Sequence, residues 1–273
     1  MPGFPTRGIL VGDVRITLRD PSGARPDREV DGVRKIYPVA PNIAMGFAGN
    51  IDTGLRLVND FGAMMQRSVP PGHVTYEPSR AILGWARYAR YHWTKTLTSR
   101  ERAGGCALAI VAALPHTGPF TPTVGYTLRA PDFRPEPIPR GRAVSIGSGS
   151  QVDAYVAELE KLATDDFELA QFETMYWDHT GGAGMAVSIS ISDAIEKHMA
   201  PGISPHLYIC SVRCGTIEIG TNDRIALTPG VESRVMPAVA ESLAEWQEWK
   251  DEHGLAAELV GLARNAPGLR VGM

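Results

Sequence analysis

Two amphipathic segments follow one another directly between runs of β-type sequence, and this order constrains the fold more than any other feature. The first has apolar residues at three- and four-residue spacing over residues 51–67, after Asn50, a good N-cap. The second covers residues 79–98 and ends at Gly104-Gly105. Its predicted apolar stripe consists of Ile82, Leu83, Ala86, Ala89, Trp93 and Leu97. Paired helices between runs of strands predict antiparallel sheets with the helices outside them.

The sequence before the first helix predicts antiparallel β-structure. Residues 8–18 are β-branched and apolar and then alternate, which is typical of a strand. Residues 20–31 contain two prolines, a glycine and six charged side chains, which predicts an exposed loop. Residues 33–37 and 43–48 then form two short predicted strands.

The second half of the chain repeats the order of strands and helices. Strands are predicted at 106–114, 123–128 and 143–146, with a proline-rich turn at 131–139, and a hairpin is predicted from 207–212 and 216–219. Helices are predicted at 150–163, 183–199 and 233–263, where 183–199 also has strand-like alternation and is assigned by context. The whole order predicts an α+β fold, a four-layer α-β-β-α sandwich of two antiparallel sheets. We expect one domain over residues 1–232 and a helical extension over 233–273.

Composition and charge exclude several function classes. The 27 basic and 30 acidic residues among 273 give a net charge of −3, which argues against nucleic acid or an anionic membrane as partner. An odd number of cysteines, three, indicates no disulfide framework and favours a reducing, cytoplasmic compartment. No apolar run reaches the length of a membrane span, and the seven histidines lack metal-binding spacing. We therefore expect no metal, no cofactor and no membrane partner.

Three sequence stretches carry a family resemblance. They are GILVGDVRIT with Asp13, VRKIYPVAPNIAMGFAGNIDTGLRLVNDF with Lys35 and Gly49, and AVSIGSGSQVDAYVAEL with Ser148, while ISPHLYICSVRCGTIEI matches a closing hairpin more weakly. In this order they resemble the proteasome β-type branch of the N-terminal-nucleophile hydrolases, on its bacterial HslV- and Anbu-like side. The resemblance covers residues 8–225.

The resemblance implies a threonine-type peptidase that assembles into a ring-like homo-oligomer and acts on peptides or unfolded protein. In that family a threonine freed as the first residue attacks the peptide carbonyl, and its own α-amine is the base. A threonine hydroxyl needs such a base, and an α-amine with a pKa near 8 is suited to the task. By motif, Lys35 lowers the pKa of the hydroxyl, Asp13 orients Lys35, and Ser148 lies near the amine. Gly49 supplies the backbone N–H of the oxyanion hole.

The resemblance also implies a substrate pocket, and it leaves the nucleophile unassigned. Phe47, with Met45, falls where a pocket wall is expected. The family's first strand should precede Gly8, yet only twelve residues precede Asp13, so that the nucleophile-bearing strand is expected to be missing and the nucleophile is unknown. Thr6 is the only candidate hydroxyl there, and two nearby prolines disfavour an interior strand.

A second departure concerns the aspartate and serine that the family has before its closing hairpin. They are not evident near residues 200–202, although Asp178 and Thr180 could imitate them under another alignment. Two hypotheses stay open at this point. One is a threonine peptidase whose start lies upstream, and the other is an inactive subunit with a structural or binding role in a ring.

Overall fold

The antiparallel strands and amphipathic helices expected from the sequence define a mixed α+β fold. The computed structural model describes residues 8–18, 27–68, 77–115, 123–139, 142–148, 152–164, 191–198, 200–213, 216–223 and 233–253. The strands are β1 (Gly8–Asp13), β2 (Arg15–Leu18), β3 (Arg28–Asp31), β4 (Ile36–Ala40), β5 (Ile43–Gly49), β6 (Cys106–Ala113), β7 (Thr123–Arg129), β8 (Glu136–Ile138), β9 (Leu207–Arg213) and β10 (Thr216–Thr221). The helices are α1 (Ile51–Ser68), α2 (Pro78–Lys95), α3 (Ser99–Ala103), α4 (Asp153–Thr164), α5 (191–197) and α6 (Leu243–Glu252).

The strands pair in three antiparallel groups. One sheet has the order β4-β5-β6-β7-β8, a second has the order β1-β9-β10, and β2 pairs with β3. The antiparallel pairing predicted from the paired helices is confirmed. The predicted closing hairpin is also confirmed, because β9 pairs with β10 from Arg213–Thr216 onward.

Alternating side chains of the strands supply the core. On β5 and β6, Met45, Phe47 and Leu108 belong to the cluster that contains α1 and α2 residues, where Phe61 stacks on Trp85 with ring centroids 4.7 Å apart. Ala44 and Val111, on the opposite faces of the same strands, join the apolar cluster that includes side chains of β1 and β9. A strand whose two faces both pack against apolar neighbours reads as a continuous apolar run, which explains the composition of residues 106–113.

The outer face of β1 and β9 carries a third apolar cluster. Ile9 and Ile209 pack there with Tyr155 of α4 and with Ile191 and Ile195 of α5. The helical assignment of the ambiguous segment is confirmed over 191–197, whereas residues 183–190 lie outside the described residues. Helices therefore contribute to the cores on two different sheets.

Two loop and strand predictions are wrong. Residues 28–31, expected in an exposed loop, form β3, because Arg15 of β2 pairs with the carboxylates of Glu29 and Asp31 on that strand. Residues 143–146 form no strand. The strand in this part of the chain is β8, within the predicted proline-rich turn, and its position at the edge of the sheet tolerates Pro137.

Two helix predictions are wrong in part. Leu83 is 55% exposed, because it lies one residue, or about 100°, from Ile82 on the buried stripe of α2. Residues 233–242 are not helical, since Ala240 forms a parallel bridge with Val33 and its backbone bonds to Gly32 and Arg34. Helix α6 begins only after Ser242, whose side chain caps Glu245, and residues 254–263 lie outside the described residues.

In the described part of the chain, no helix combines the length and the apolar character that crossing a membrane requires.

Candidate active site

Asp13 and Lys35 form the ion pair on which the sequence prediction depends. Lys35 Nζ lies 3.1 Å from Asp13 Oδ1 and donates a second hydrogen bond of 2.5 Å to the carbonyl of Arg15. Asp13 Oδ1 also accepts the backbone N–H of Arg15 at 2.6 Å. The two side chains are 15% and 21% exposed, so the pair is largely shielded from water. A carboxylate and a carbonyl together hold the ammonium in one position.

The local chain explains why these two residues meet. Asp13 ends β1, and Lys35 directly precedes β4. A Cβ placed on Gly12 would lie 2.8 Å from Ile36 Cγ1, so glycine lets the end of β1 approach the start of β4. The carbonyl of Lys35 accepts the N–H of Phe47 at 3.1 Å, which ties the lysine to β5. Residues far apart in sequence are thus held together by strand ends.

Arg15 joins this pair to β3. Its guanidinium bonds Asp31 at 2.6 Å and Glu29 at 3.2 Å. The hydrogen bond with Asp31 raises the pKa of Arg15, which therefore stays charged. Because the backbone of Arg15 contacts both Asp13 and Lys35, its anchored side chain restricts the position of the ion pair. The motifs did not identify Arg15, Glu29 or Asp31, and Arg28–Asp31 of β3 has no apolar–polar alternation that could have done so.

The segment before β9 contributes to the same region. Ser204, which is fully buried, donates a hydrogen bond to Asp31 Oδ2 at 2.9 Å and accepts the N–H of His206. The N–H of Gly202 donates to Glu29 at 2.7 Å. The sequence pattern did not single out Ser204, because one serine before a predicted strand carries no periodic signal. Asp178 and Thr180 lie outside the described residues.

Ser148 lies beside this segment. It is exposed, and a Cβ placed on Gly202 would lie 2.9 Å from its Oγ. A Cβ on Gly147 would lie 2.7 Å from the Cβ of Ala48, so the backbone before Ser148 passes directly over the end of β5. Both glycines have positive φ, +75° for Gly147 and +78° for Gly202. Ser148 therefore lies close to Ala48, which precedes Gly49, and to Gly202, whose N–H donates to Glu29.

Gly49 has the backbone that glycine alone adopts easily. Its φ is +99°, and a Cβ there would lie 2.6 Å from the carbonyl of Gly105. The residue is exposed at the end of β5. Any other residue would combine backbone strain with a backbone clash, so its conformation suits a site where the main chain must remain accessible.

Phe47 and Met45 lie in the core beneath α1. Phe47 is 3% and Met45 0% exposed, and the Phe47 ring packs against Gly54 and stacks on Tyr37. Neither side chain reaches solvent in the described structure. Their assignment to a substrate pocket stays a prediction.

Cysteine chemistry finds no support among the described thiols. Burial raises the pKa of Cys106 and Cys210 to about 12, so both are protonated near neutral pH. Thr6 and Cys214 lie outside the described residues. Among the described residues, no group of three or more His, Cys, Asp or Glu side chains is arranged to hold a metal ion.

No protein-family model matches the chain. No curated protein matches its sequence either.

Proposed function

We propose that this protein is a proteasome-β-like, threonine-type peptidase subunit of the N-terminal-nucleophile hydrolases, and that Asp13, Lys35, Gly49 and Ser148 form its site. The observation that carries the proposal is the double anchoring of the Lys35 ammonium by Asp13 and the Arg15 carbonyl. The finer architecture we propose is the four-layer α-β-β-α sandwich. The three apolar clusters, two of which include helices, support it.

In the proposed mechanism, Lys35 stabilises the ionised form of a nearby hydroxyl. Two of its three N–H groups have partners among the described residues, Asp13 and Arg15, which leaves one donor for the nucleophile. A fixed positive charge in a shielded site lowers the pKa of an adjacent hydroxyl, and an α-amine would take its proton. The hydroxyl oxygen then attacks the peptide carbonyl carbon. The C–N bond breaks as the α-ammonium returns the proton to the departing amine, and water hydrolyses the ester that remains.

Gly49 and Ser148 have separate roles in this proposal. The backbone N–H of Gly49 would donate to the negatively charged oxygen that forms when the carbonyl carbon is attacked, a contribution worth roughly 100-fold or more in rate. Ser148 would hydrogen-bond the terminal amine. The backbone of Gly147 packs against Ala48, which supports a short distance between Ser148 and Gly49.

The second candidate function is an inactive subunit with a structural or binding role in a ring. The observation that favours it is the mutual pairing of Arg15, Glu29, Asp31 and Ser204. Networks of this kind also occur purely for structural reasons. In that case Lys35 and Asp13 would only join β1, β2 and β4.

Hydrolysis of fluorogenic peptides by the chain extended upstream to an N-terminal threonine, combined with mass spectrometry after reaction with a hydroxyl-acylating β-lactone, tests the proposal. We expect turnover, a single acylated threonine, and a fall of at least about 100-fold in kcat for Lys35→Met. Lys250→Met is the matched control, because Lys250 also pairs with an aspartate, Asp52, but on the helices. We expect it to change kcat less than twofold.

The outcomes separate the two candidate functions. Absence of both turnover and acylation, with a folded chain, would favour the inactive subunit. Turnover that survives Lys35→Met would contradict the proposed role of the ion pair.

A further inference from the structure

Helix α2 presents to solvent a face that is basic and apolar. Its sequence contains no Asp or Glu. Its exposed basic side chains are Arg80, Arg87, Arg90 and Lys95. Leu83 is 55% and Tyr91 61% exposed, and with Arg87 they recur at four-residue spacing along one line of the helix. Within the described part of the chain, none of these basic side chains has a carboxylate partner.

This face differs from an ordinary solvated helix surface. Solvated faces usually mix both signs of charge and expose large apolar side chains singly. On α2, two large apolar side chains lie among charges of one sign. That pattern is typical of a surface that meets an acidic, partly apolar partner.

An acidic cleft of about 620 Å³ lies elsewhere on the molecule. Its walls are β3 at Val30 and Asp31, the segment 238–240, and α6. Helix α6 contributes the carboxylates of Glu245, Glu248 and Glu252 and the ring of Trp249 to the lining. Glu248 and Glu252 are exposed and four residues apart, so they project from the same side of the helix.

The two surfaces lie at separate places on the fold. Helix α2 contacts α1 through the hydrogen bond from Tyr88 to Asp60, whereas α6 contacts α1 through Lys250 and Asp52. The two α1 positions are eight residues, or about 12 Å, apart along the helix axis.

We infer that the α2 face of one copy docks into the acidic cleft of a second copy. Arg87 and Arg90 would pair with Glu248 and Glu252, and Tyr91 would pack against Ala238 and Val239 in the wall of the cleft. The contact joins two different surfaces, so it is head-to-tail, and each copy offers both halves to its neighbours. Such contacts close into a ring or continue as a filament. The contact itself is argued from the two surfaces, whereas its closure into a ring rests on the proposed function.

Charge reversal on each half, followed by mixing, tests this pairing. The α2 variant is Arg87→Glu with Arg90→Glu, and the α6 variant is Glu248→Arg with Glu252→Arg. We expect wild-type chains to associate in sedimentation velocity, less tightly at higher salt. Each variant alone should lose at least tenfold in association, because like charges then face each other. A mixture of the two variants, and a chain with all four substitutions, should regain it.

Matched reversals at exposed positions outside both surfaces, Arg134→Glu and Asp193→Arg, serve as controls and should leave association unchanged. Wild-type chains that stay monomeric, or variants that do not restore each other, would overturn the inference. So would binding of a DNA or RNA oligonucleotide that is lost in the α2 variant while self-association persists.

Circular dichroism checks the fold of each variant, and the variant with all four substitutions keeps the test decisive if one half-variant is unstable. Sedimentation velocity measures association independently of peptidase activity. Assembled but inactive chains would therefore count against the peptidase proposal alone, and active monomers against this interface alone.

Discussion

Lys35 and Lys250 lie in two regions of the molecule, and each pairs with an aspartate. Lys250 on α6 lies 2.7 Å from Asp52 and is 9% exposed, whereas Lys35 lies 3.1 Å from Asp13 and is 15% exposed. By distance and by burial of the lysine, the pair on the helices is the tighter of the two. Their aspartates differ in the opposite sense, since Asp52 is 44% and Asp13 21% exposed.

The surroundings, rather than the pair geometry, separate a candidate site from a packing contact. Asp52 lies in the first turn of α1 and Lys250 in the last turn of α6, so both charges complement the dipoles of their helices. Lys250 also lies 5.4 Å from the centroid of the Trp246 ring. Helix docking explains all of these contacts. Lys35 instead lies between strand ends, bonded to a carbonyl and next to further charged residues.

The largest expected difference between the two pairs is in stability. Asp13→Ala leaves the shielded Lys35 with the Arg15 carbonyl alone and removes the acceptor of the Arg15 N–H, so we expect it to destabilise the fold by about 3 kcal/mol. Asp52 is already accessible to water, so water can replace it as the partner of Lys250 in Asp52→Ala, and we expect the free energy of unfolding to fall by about 1 kcal/mol. Urea unfolding monitored by circular dichroism measures both. Equal losses would mean that the two pairs are equivalent packing contacts.

Alanine substitutions at one glycine of the site and one glycine of a helix should have opposite effects on stability. Gly202→Ala should destabilise by about 1–2 kcal/mol, because its φ is +78° and the new Cβ would meet Ser148. Gly62→Ala, in α1, has open space at the Cβ position and should stabilise by about 0.5–1 kcal/mol. Thermal unfolding gives both values. A neutral Gly202→Ala would show that Ser148 can move without cost.

The smallest effect concerns the link between the site and the segment before α6. Arg34, next to Lys35, pairs with Glu241, which accepts the Tyr208 hydroxyl at 2.7 Å. Burial, and secondarily the hydrogen bond to Glu241, raises the pKa of Tyr208 to about 12. The unfolded value is near 10, so the folded chain holds this proton more tightly. The stabilisation is complete below pH 10 and is lost as the pH rises towards 12.

Tyr208→Phe should therefore cost about 1 kcal/mol at pH 7 and reduce the loss of stability between pH 10 and 12. Urea midpoints across this pH range measure the change. Tyr91→Phe, at an exposed position, should leave the profile as in the wild type. An unchanged profile in Tyr208→Phe would assign the alkaline loss to other tyrosines.

Local periodicity predicted much of the secondary structure. Helix α1 and strand β6 came out within one residue of their predicted bounds, because apolar spacing within one element reflects which face it buries. Residues 28–31 and 233–242 were assigned wrongly, since their conformations depend on backbone partners elsewhere in the chain. Periodicity carries no information about such partners.

The candidate site likewise has one part that the sequence indicated and another that it did not. The family resemblance of the sequence implied the pairing of Asp13 with Lys35, and the structure contains that pair. Only the tertiary structure brought Arg15, Asp31 and Ser204 to it and buried Phe47 under α1. The physical reason is that a strand pattern determines which faces of a strand are apolar, whereas sheet register and sheet stacking determine which charged side chains meet across the fold.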